Sequence, residues 1–223
     1  MHSLQVAPQT KLGVLEAYYG YDSFRPGQEA IIDAILSGRD AMAIMPTSAG
    51  KSLCFQVPAM LMPEVTLVIS PLISLMQDQV SSLEAMGIPA VLINSGQSLE
   101  ENRQAVTALR SRRVKLAYIA PERLSNDYFL NLVSQLEVSL VAVDEAHCIS
   151  QWGNDFRPSY QAIPHLLDYL AKRPVMAAFT ATATHQVRQD IAHYLGLQNP
   201  FEKVTGFDRP NLLFALEEPS DKM

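Results

Sequence analysis

Short apolar runs recur along the chain, and stretches with helical periodicity separate them. The runs comprise residues 41–45, 65–69, 90–93, 114–119, 138–143 and 175–179. Because polar residues rarely interrupt them, they predict strands that are buried on both faces. Helices are predicted between them, at residues 72–86, 99–109 and 184–195. This alternation predicts an α/β domain with a mainly parallel sheet and helices on both faces.

The apolar pattern stops after Gly196. Prolines and glycines then break up the sequence, which is typical of a linker that leaves a finished domain. We therefore expect a lead-in at residues 1–17, one domain at 18–205 and a linker at 206–223. We also expect the chain to be a piece of a longer protein.

Composition excludes several classes of protein. The chain has 223 residues, 48% apolar and 18% charged, and a net charge of −6, which argues against a general nucleic-acid coat protein but leaves room for a local basic groove. Two cysteines, Cys54 and Cys148, suit a reducing, intracellular setting, either cytoplasmic or nucleoid-associated in a bacterium. The first residues do not resemble a signal peptide, and the longest near-apolar stretch, residues 65–76, is too short to span a bilayer.

Gly50-Lys51-Ser52 follows a predicted buried strand and opens a predicted helix. In a phosphate loop at this position, backbone N–H groups cradle the phosphates, the lysine reaches the β- and γ-phosphates, and the serine hydroxyl holds Mg²⁺. The full pattern has glycine where this chain has Met45. A bare Gly-Lys-Ser also occurs in loops with an exposed lysine, but the strand–loop–helix context favours the phosphate loop.

Asp144 and Glu145 directly follow another predicted buried strand. Such a pair faces the crevice in which α/β sheets bind ligands, where Asp144 would contact Mg²⁺ and Glu145 would deprotonate an attacking water. Alone, the pair would indicate only a helix N-terminus, where acidic residues are favoured. Together with Lys51, it favours a phosphate-loop NTPase.

The residues after the acidic pair carry a specific resemblance. Residues 144–160 resemble the acidic motif and aromatic-rich loop of RecQ-type DNA helicases, members of the second helicase superfamily. Further RecQ-like segments occur in the expected order, at residues 21–28, 45–52, 70–79, 118–124, 179–184 and 207–211. The resemblance covers about residues 18–213 and implies a RecA-like phosphate-loop NTPase domain.

The resemblance assigns three groups of residues. ATP and Mg²⁺ would be bound by Tyr21, Arg25, Gln28, Pro46, Thr47, Ser48, Ala49, Gly50, Lys51, Ser52 and Asp144, with Ser52 and Asp144 at the metal and Lys51 and Glu145 catalytic. DNA would be contacted by Ser70, Pro71, Arg123, Gln151, Trp152, Phe156 and Arg157. Hydrolysis would be coupled to DNA by His147, Asn154, Thr180 and Thr182.

Elementary chemistry fits these assignments. A glutamine amide suits the edge of adenine, and a tyrosine ring and a guanidinium can stack on the base. Two aromatic rings and an arginine in one loop can stack on single-stranded DNA. For Trp152 the alternative is a side chain that fills the core under a loop, and for the two threonines it is capping of a strand end.

Three positions depart from the RecQ pattern. Ser48 and Ala49 stand where the family has glycine, so nucleotide affinity or turnover can differ. Asn154 stands where the family has histidine and cannot change its charge near neutral pH. The second RecA-like domain, which supplies arginine fingers, and the zinc-binding and winged-helix regions of RecQ proteins are not recognised in this sequence.

The resemblance implies the ATP-binding motor domain of an ATP-dependent 3′→5′ DNA helicase with roles in DNA repair and recombination. Its partners would be single-stranded and partly duplex DNA and a second RecA-like domain, normally in the same chain. One alternative is a fragment that binds ATP and DNA but does not hydrolyse ATP, because an arginine finger contributes about 10³–10⁵ in rate. The other is an unrelated phosphate-loop enzyme, such as a small-molecule kinase, with the aromatic loop as a lid.

Overall fold

A computed structural model describes residues 8–205 of the chain, and the strands of this part form one parallel sheet. The strands are β1 (Ala41–Ile44), β2 (Val65–Ile69), β3 (Ala90–Ile93), β4 (Leu116–Ile119), β5 (Val138–Val143), β6 (Val175–Thr180) and β7 (Phe201–Val204). Their order across the sheet is β3-β4-β2-β5-β6-β1-β7, and every neighbouring pair is parallel. The predicted α/β fold class is confirmed.

Helices cover both faces of the sheet. They are α1 (Lys11–Val14), which continues as a π-helical turn over Leu15–Tyr19, α2 (Gln28–Leu36), α3 (Leu53–Leu61), α4 (Ile73–Ala85), α5 (Leu99–Arg110), α6 (Asp127–Val133), α7 (Ile163–Tyr169) and α8 (His185–Tyr194). The apolar side chains of α2, α3 and α4 pack on one face, and those of α5 to α8 pack on the other. Within residues 8–205, no helix is long and apolar enough to cross a membrane.

The six strands that the apolar runs predict are present. In β1, Ala41 and Ala43 pack toward α2–α4 while Met42 and Ile44 pack toward α5–α8, so successive side chains fill both cores. The seventh strand, β7, was not predicted, because its residues are alternately half-buried and exposed at the edge of the sheet. The alternation of strands and helices therefore continues past Gly196 to β7. The predicted linker, residues 206–223, and the RecQ-like segment 207–211 lie outside the described residues.

The order of the strands brings distant parts of the sequence to one edge. The chain passes from β1 to β2 by crossing two strand positions, which β5 and β6 later fill. As a result, the loop after β1 lies beside the end of β6 and one strand away from the end of β5. In parallel α/β sheets, ligands bind outside the carboxyl ends of the strands, where such a reordering opens a crevice.

Asp40 closes the opposite, amino-terminal edge of the sheet. Its carboxylate is buried and accepts hydrogen bonds from the backbone N–H of Met176, at 2.9 Å, and of Gln198, at 2.7 Å. Arg173 donates to both carboxylate oxygens, at 3.1 and 2.6 Å. One side chain therefore ties together the starts of β1 and β6 and the segment that leads into β7.

We expect Asp40→Ala to destabilise the fold by roughly 3 kcal/mol, because it leaves a partly buried guanidinium and two backbone donors without their acceptor. Urea unfolding followed by circular dichroism measures this change. Asp168→Ala is the matched control, since the Asp168 side chain is 78% exposed. Equal unfolding midpoints for the two variants would contradict this role for Asp40.

Candidate active site

A pocket of about 150 Å³ lies at the carboxyl edge of the sheet, where the crossover predicts it. Six segments contribute to it, namely the loop after β1, α3, the residue after β2, α4, β4 and the residues after β5. Its lining includes Thr47, Gly50, Lys51, Ser52, Ser70, Gln79, Tyr118, Asp144 and Glu145. The structure thus brings together the core of the predicted nucleotide site, which is dispersed over about a hundred residues of sequence.

The loop after β1 curls around the amino group of Lys51. Residues Thr47–Ala49 form a short 3₁₀ turn, and Gly50 has a φ of +75°, a conformation that glycine adopts without strain. Lys51 is buried, and its Nζ donates a hydrogen bond to the backbone oxygen of Met45 at 3.3 Å. Met45 itself packs into the core below the loop, so its side chain does not obstruct the pocket.

Gln28 lies beneath the loop, and its amide holds the loop in place. Its Nε2 donates hydrogen bonds to the backbone oxygens of Ala49 and Gly50, both at 3.0 Å, and its Oε1 accepts from the backbone N–H of Arg25 at 2.8 Å. A Cβ at Gly50 would lie 2.6 Å from Nε2, which is a second reason for glycine at this position. Since both amide N–H groups are engaged, recognition of adenine by Gln28 requires an exchange of partners and stays a prediction.

Tyr21 and Arg25 lie outside the pocket lining, on the exposed surface before α2. The Tyr21 side chain is 52% exposed, and Arg25 is also exposed. The structure does not bring these two residues into the pocket lining with Lys51. Their role in binding a base stays a prediction.

Asp144 is half-buried at the end of β5, where it lines the pocket. Burial and the neighbouring Glu145 carboxylate raise the pKa of Asp144 to about 6. The Ser70 hydroxyl donates to its Oδ2 at 3.4 Å, and the backbone N–H of Glu145 donates to its Oδ1 at 3.0 Å. A desolvated carboxylate of this kind gains from a cation placed against it.

Glu145 points toward His147 and is held in an uncommon backbone conformation. Its φ of +46° is unusual for a residue with a side chain, and such strain is concentrated at functional sites. His147 Nδ1 lies 3.3 Å from Glu145 Oε2, and this contact holds the pKa of Glu145 below its usual value. The adjacent Cys148 and then Glu145 raise the pKa of His147 to about 10, so the pair is ionised at neutral pH.

His147 also connects the acidic pair to the end of β6. Its Nδ1 lies 2.9 Å from the Thr180 hydroxyl oxygen, and that hydroxyl donates to the backbone oxygen of Thr182 at 3.0 Å. A protonated ring donates to the threonine, which in turn donates onward, so the direction of the bonds is consistent. The structure therefore places three of the four predicted coupling residues in one contiguous chain.

The aromatic-rich loop projects from the same edge. Trp152 is 75% exposed, so the alternative that it fills the core is wrong. Gln151 and Asn154 are also exposed, whereas Phe156 is half-buried. A crevice of about 60 Å³ separates Trp152 and Asn154 from Thr182 and the start of α8.

The two arginines predicted to contact DNA already have protein partners. Arg157 donates to the backbone oxygen of Pro71 at 3.1 Å and pairs with Asp155 at 2.8 Å. Arg123 lies over the ring of Phe129, 5.0 Å from its centroid, and burial lowers its pKa. Their contacts to DNA stay predictions. The first of these bonds nevertheless joins the aromatic loop to the predicted DNA-contacting segment at Pro71.

Two residues with hydrogen bonds beside the site were not identified from the sequence. The Tyr160 hydroxyl donates to the backbone oxygen of Asp144 at 2.8 Å and so supports the acidic pair from below. Gln56 accepts from the Tyr19 hydroxyl at 3.1 Å and donates to the Tyr118 hydroxyl at 2.9 Å and to Gln79 Oε1 at 3.0 Å. A single glutamine in the otherwise apolar α3 was the available signal, since a buried amide requires partners.

The residues around the pocket suit magnesium better than a softer metal. Within residues 8–205, no group of three or more histidine, cysteine, aspartate or glutamate side chains could enclose a metal ion. The Ser52 hydroxyl and the Asp144 carboxylate are hard oxygen donors that line one pocket. Magnesium commonly binds in this way, through one or two protein oxygens, with water and phosphate completing its shell.

Comparison with known proteins agrees with the geometry. Residues 25–191 match the family of DEAD/DEAH box helicases. The chain is 51% identical over 210 residues to the ATP-dependent DNA helicase RecQ of Pasteurella multocida, covering 94% of this chain and 33% of that protein. It is 48% identical over 210 residues to RecQ of Bacillus subtilis, covering 94% of this chain and 36% of that protein. The resemblance stated from the sequence motifs is confirmed, and the chain spans about a third of the length of these relatives.

The fold is also that of solved helicase domains. The structure of the Pyrococcus furiosus Hef helicase domain superimposes with a TM-score of 0.65 at 24% identity, covering 81% of this chain and 37% of that one. At this identity the likeness concerns the fold alone, and it confirms the RecA-like arrangement. The comparisons do not favour the small-molecule kinase or the non-hydrolysing fragment.

We expect Gln28→Ala to loosen the loop at residues 46–52, because the Ala49 and Gly50 carbonyls lose their donor. Hydrogen exchange followed by mass spectrometry should show faster exchange in peptides that cover this loop, while the strands of the sheet stay protected. Glu29→Ala is the control, since the Glu29 side chain lies next in sequence and is 58% exposed. Unchanged protection of the loop would mean that the amide does not hold it.

Proposed function

Because this chain belongs to the DEAD/DEAH box helicase family, we propose that it is the ATP-binding motor domain of an ATP-dependent 3′→5′ DNA helicase. One observation carries the proposal. Lys51, Ser52, Asp144 and Glu145 converge on one pocket at the carboxyl edge of a parallel sheet. The curated relatives named as DNA helicases supply the substrate class.

ATP binds with its phosphates in the loop after β1. Backbone N–H groups of residues 47–52 face the phosphates, and Lys51 exchanges its bond to the Met45 oxygen for contacts to the β- and γ-phosphates. Tyr21 and Arg25 stack on the adenine, and Gln28 reads its edge after releasing at least one loop carbonyl. Recognition of the base and closure of the phosphate loop are then coupled through a single amide.

Ser52 and Asp144, which line one pocket, would hold Mg²⁺. The ion, when bound, neutralises the charge that develops on the phosphate oxygens. The Asp144 carboxylate would stay ionised beside this cation, although desolvation raises its pKa. Ser70 keeps the carboxylate oriented through its hydroxyl.

Glu145 orients the attacking water and takes its proton. Its contact to His147 fixes the direction of the carboxylate and keeps it ionised, which a general base requires. His147 then transmits a movement of Glu145 to Thr180 and Thr182, and Thr182 lies across a crevice from the aromatic loop. Asn154 lines the crevice between the aromatic loop and the start of α8, where it contributes a neutral amide in place of an ionisable imidazole ring.

Single-stranded DNA crosses the same edge of the domain. Trp152 and Phe156 stack on bases. The strand is also contacted by Gln151, Arg157, Ser70, Pro71 and Arg123.

Ser48 and Ala49 restrict the backbone of the phosphate loop more than glycine does. They lower the rate of ATP hydrolysis or the affinity for ATP without removing the chemistry. The partner that completes the active site is a second RecA-like domain, normally in the same chain, and the substrate is single-stranded or partly duplex DNA.

Steady-state ATP hydrolysis by this chain, with and without single-stranded DNA, tests the proposal. We expect Lys51→Ala to lower turnover by about 10²–10³-fold, because the phosphates lose their cation.

We expect Glu145→Gln to lower turnover by about 10²–10⁴-fold while nucleotide still binds, because only the proton acceptor is lost. Normal hydrolysis by either variant would overturn the role given to that residue. If the wild-type chain is inactive, the same assay after addition of a second RecA-like domain decides the helicase proposal.

We expect Trp152→Ala to keep the DNA-free rate of hydrolysis and to need more DNA for stimulation, since stacking on one base contributes about 1–3 kcal/mol. The measurement is the DNA concentration that gives half-maximal stimulation, which should rise about 5- to 150-fold. Tyr194→Ala, which removes another exposed aromatic ring, is the control. A Trp152→Ala variant that responds normally to DNA would show that the loop is only structural.

A further inference from the structure

Ser150 lies at the base of the aromatic-rich loop and is completely buried. Its hydroxyl donates a hydrogen bond to Asp190 Oδ2 at 2.6 Å and accepts one from the backbone N–H of Trp152 at 3.1 Å. The same hydroxyl therefore connects the backbone of the exposed tryptophan to a carboxylate on α8. Hydrogen bonds to an ionised partner are shorter and stronger than neutral ones, which suits a fixed anchor.

Asp190 is itself held in position by its own helix. Gln186 lies one turn earlier in α8 and donates from Nε2 to Asp190 Oδ1 at 2.9 Å. The two oxygens of the carboxylate thus have separate roles, one toward the helix and one toward the loop. α8 begins directly after Thr184, whose hydroxyl caps it, and so follows Thr180 and Thr182 without an intervening element.

The turn that carries Trp152 is also restricted at Gly153, the residue after the tryptophan. Gly153 donates its backbone N–H to the Ser150 oxygen at 3.0 Å. A Cβ at Gly153 would lie 2.3 Å from the His147 backbone oxygen, so the turn presses directly against the backbone of the acidic motif. Ser150 and Gly153 together fix the direction in which Trp152 leaves the domain.

We propose that Ser150 and Asp190 are positioning residues that hold Trp152 in the orientation required for stacking on single-stranded DNA, through a bond between the loop and α8. The proposal rests on the proposed function of the loop in binding DNA. It adds α8 to the path from the nucleotide to DNA. A displacement at Thr180–Thr182 moves the start of α8, and Asp190 passes this displacement to the backbone of Trp152.

Trp152 is the only tryptophan of the chain, so its fluorescence reports the loop directly. We would measure the anisotropy and acrylamide quenching of Trp152 in Ser150→Ala and Asp190→Ala, without DNA. Loss of the anchor should lower the anisotropy and increase the quenching. Asp190→Asn keeps an oxygen that can accept the serine hydroxyl and should restore most of the wild-type signal. Gln189→Ala, which removes an exposed side chain next to Asp190 on α8, is the control.

The second readout is ATP hydrolysis with increasing single-stranded DNA. We expect Ser150→Ala and Asp190→Ala to keep the DNA-free rate and to require about tenfold more DNA for half-maximal stimulation. If the melting curves of these variants match that of the wild-type chain, a loss of folding is excluded as the cause. Wild-type fluorescence in both variants would overturn the proposal, and so would a wild-type DNA response combined with altered fluorescence.

The two proposals fail separately in this design. If the wild-type chain hydrolyses ATP, alone or with a second RecA-like domain, but shows no response to DNA, the proposed function of the loop fails, and with it the role of the anchor in binding DNA. If the wild-type chain responds and Trp152→Ala weakens the response, but neither anchor variant changes it, only the proposal on Ser150 and Asp190 fails.

Discussion

The position of β5 and β6 between β1 and β2 governs the chemistry of this domain. Parallel hydrogen bonding aligns the carboxyl ends of these strands at one edge, and the crossover opens a pocket between the loop after β1 and the end of β5. At the opposite edge, Asp40 ties β1, β6 and the lead-in to β7 together. Without this order, Lys51 and Glu145 would be unrelated residues of two distant segments.

Burial makes the charges at this edge depend on one another. Asp144 is desolvated and lies beside Glu145, which raises its pKa, while Lys51 acts in the opposite direction. Glu145 is kept ionised by His147, and His147 contacts Thr180. A bound cation or phosphate changes this balance, and the bonds between these side chains pass the change to β6. The arrangement therefore suits a site that responds to the state of its ligand.

The aromatic loop is attached to each part of the site by a separate bond. Tyr160 supports Asp144, Arg157 holds the Pro71 oxygen, and Ser150 holds Asp190 on α8. Only the tip, with Trp152, projects into solvent. A rigid base and an exposed tip suit a loop that must both contact a partner and respond to the nucleotide site. The RecQ-like sequence from residue 144 to residue 160 thus encodes a structural unit as well as a set of contacts.

The sequence by itself determined the buried strands, the fold class and the two motifs that line the pocket. Uninterrupted apolar runs specify strands buried on both faces, and Gly50-Lys51-Ser52 and Asp144-Glu145 are local motifs with known chemistry. The sequence did not reveal β7, because this edge strand alternates between half-buried and exposed residues and so has no apolar run. Tertiary structure alone decided that the Gln28 amide holds the phosphate loop, that Arg157 holds Pro71 and that Ser150 meets Asp190. These hydrogen bonds join residues far apart in the chain, and a polar side chain acquires its partner only when the packing of the sheet and helices brings that partner within 3 Å or so.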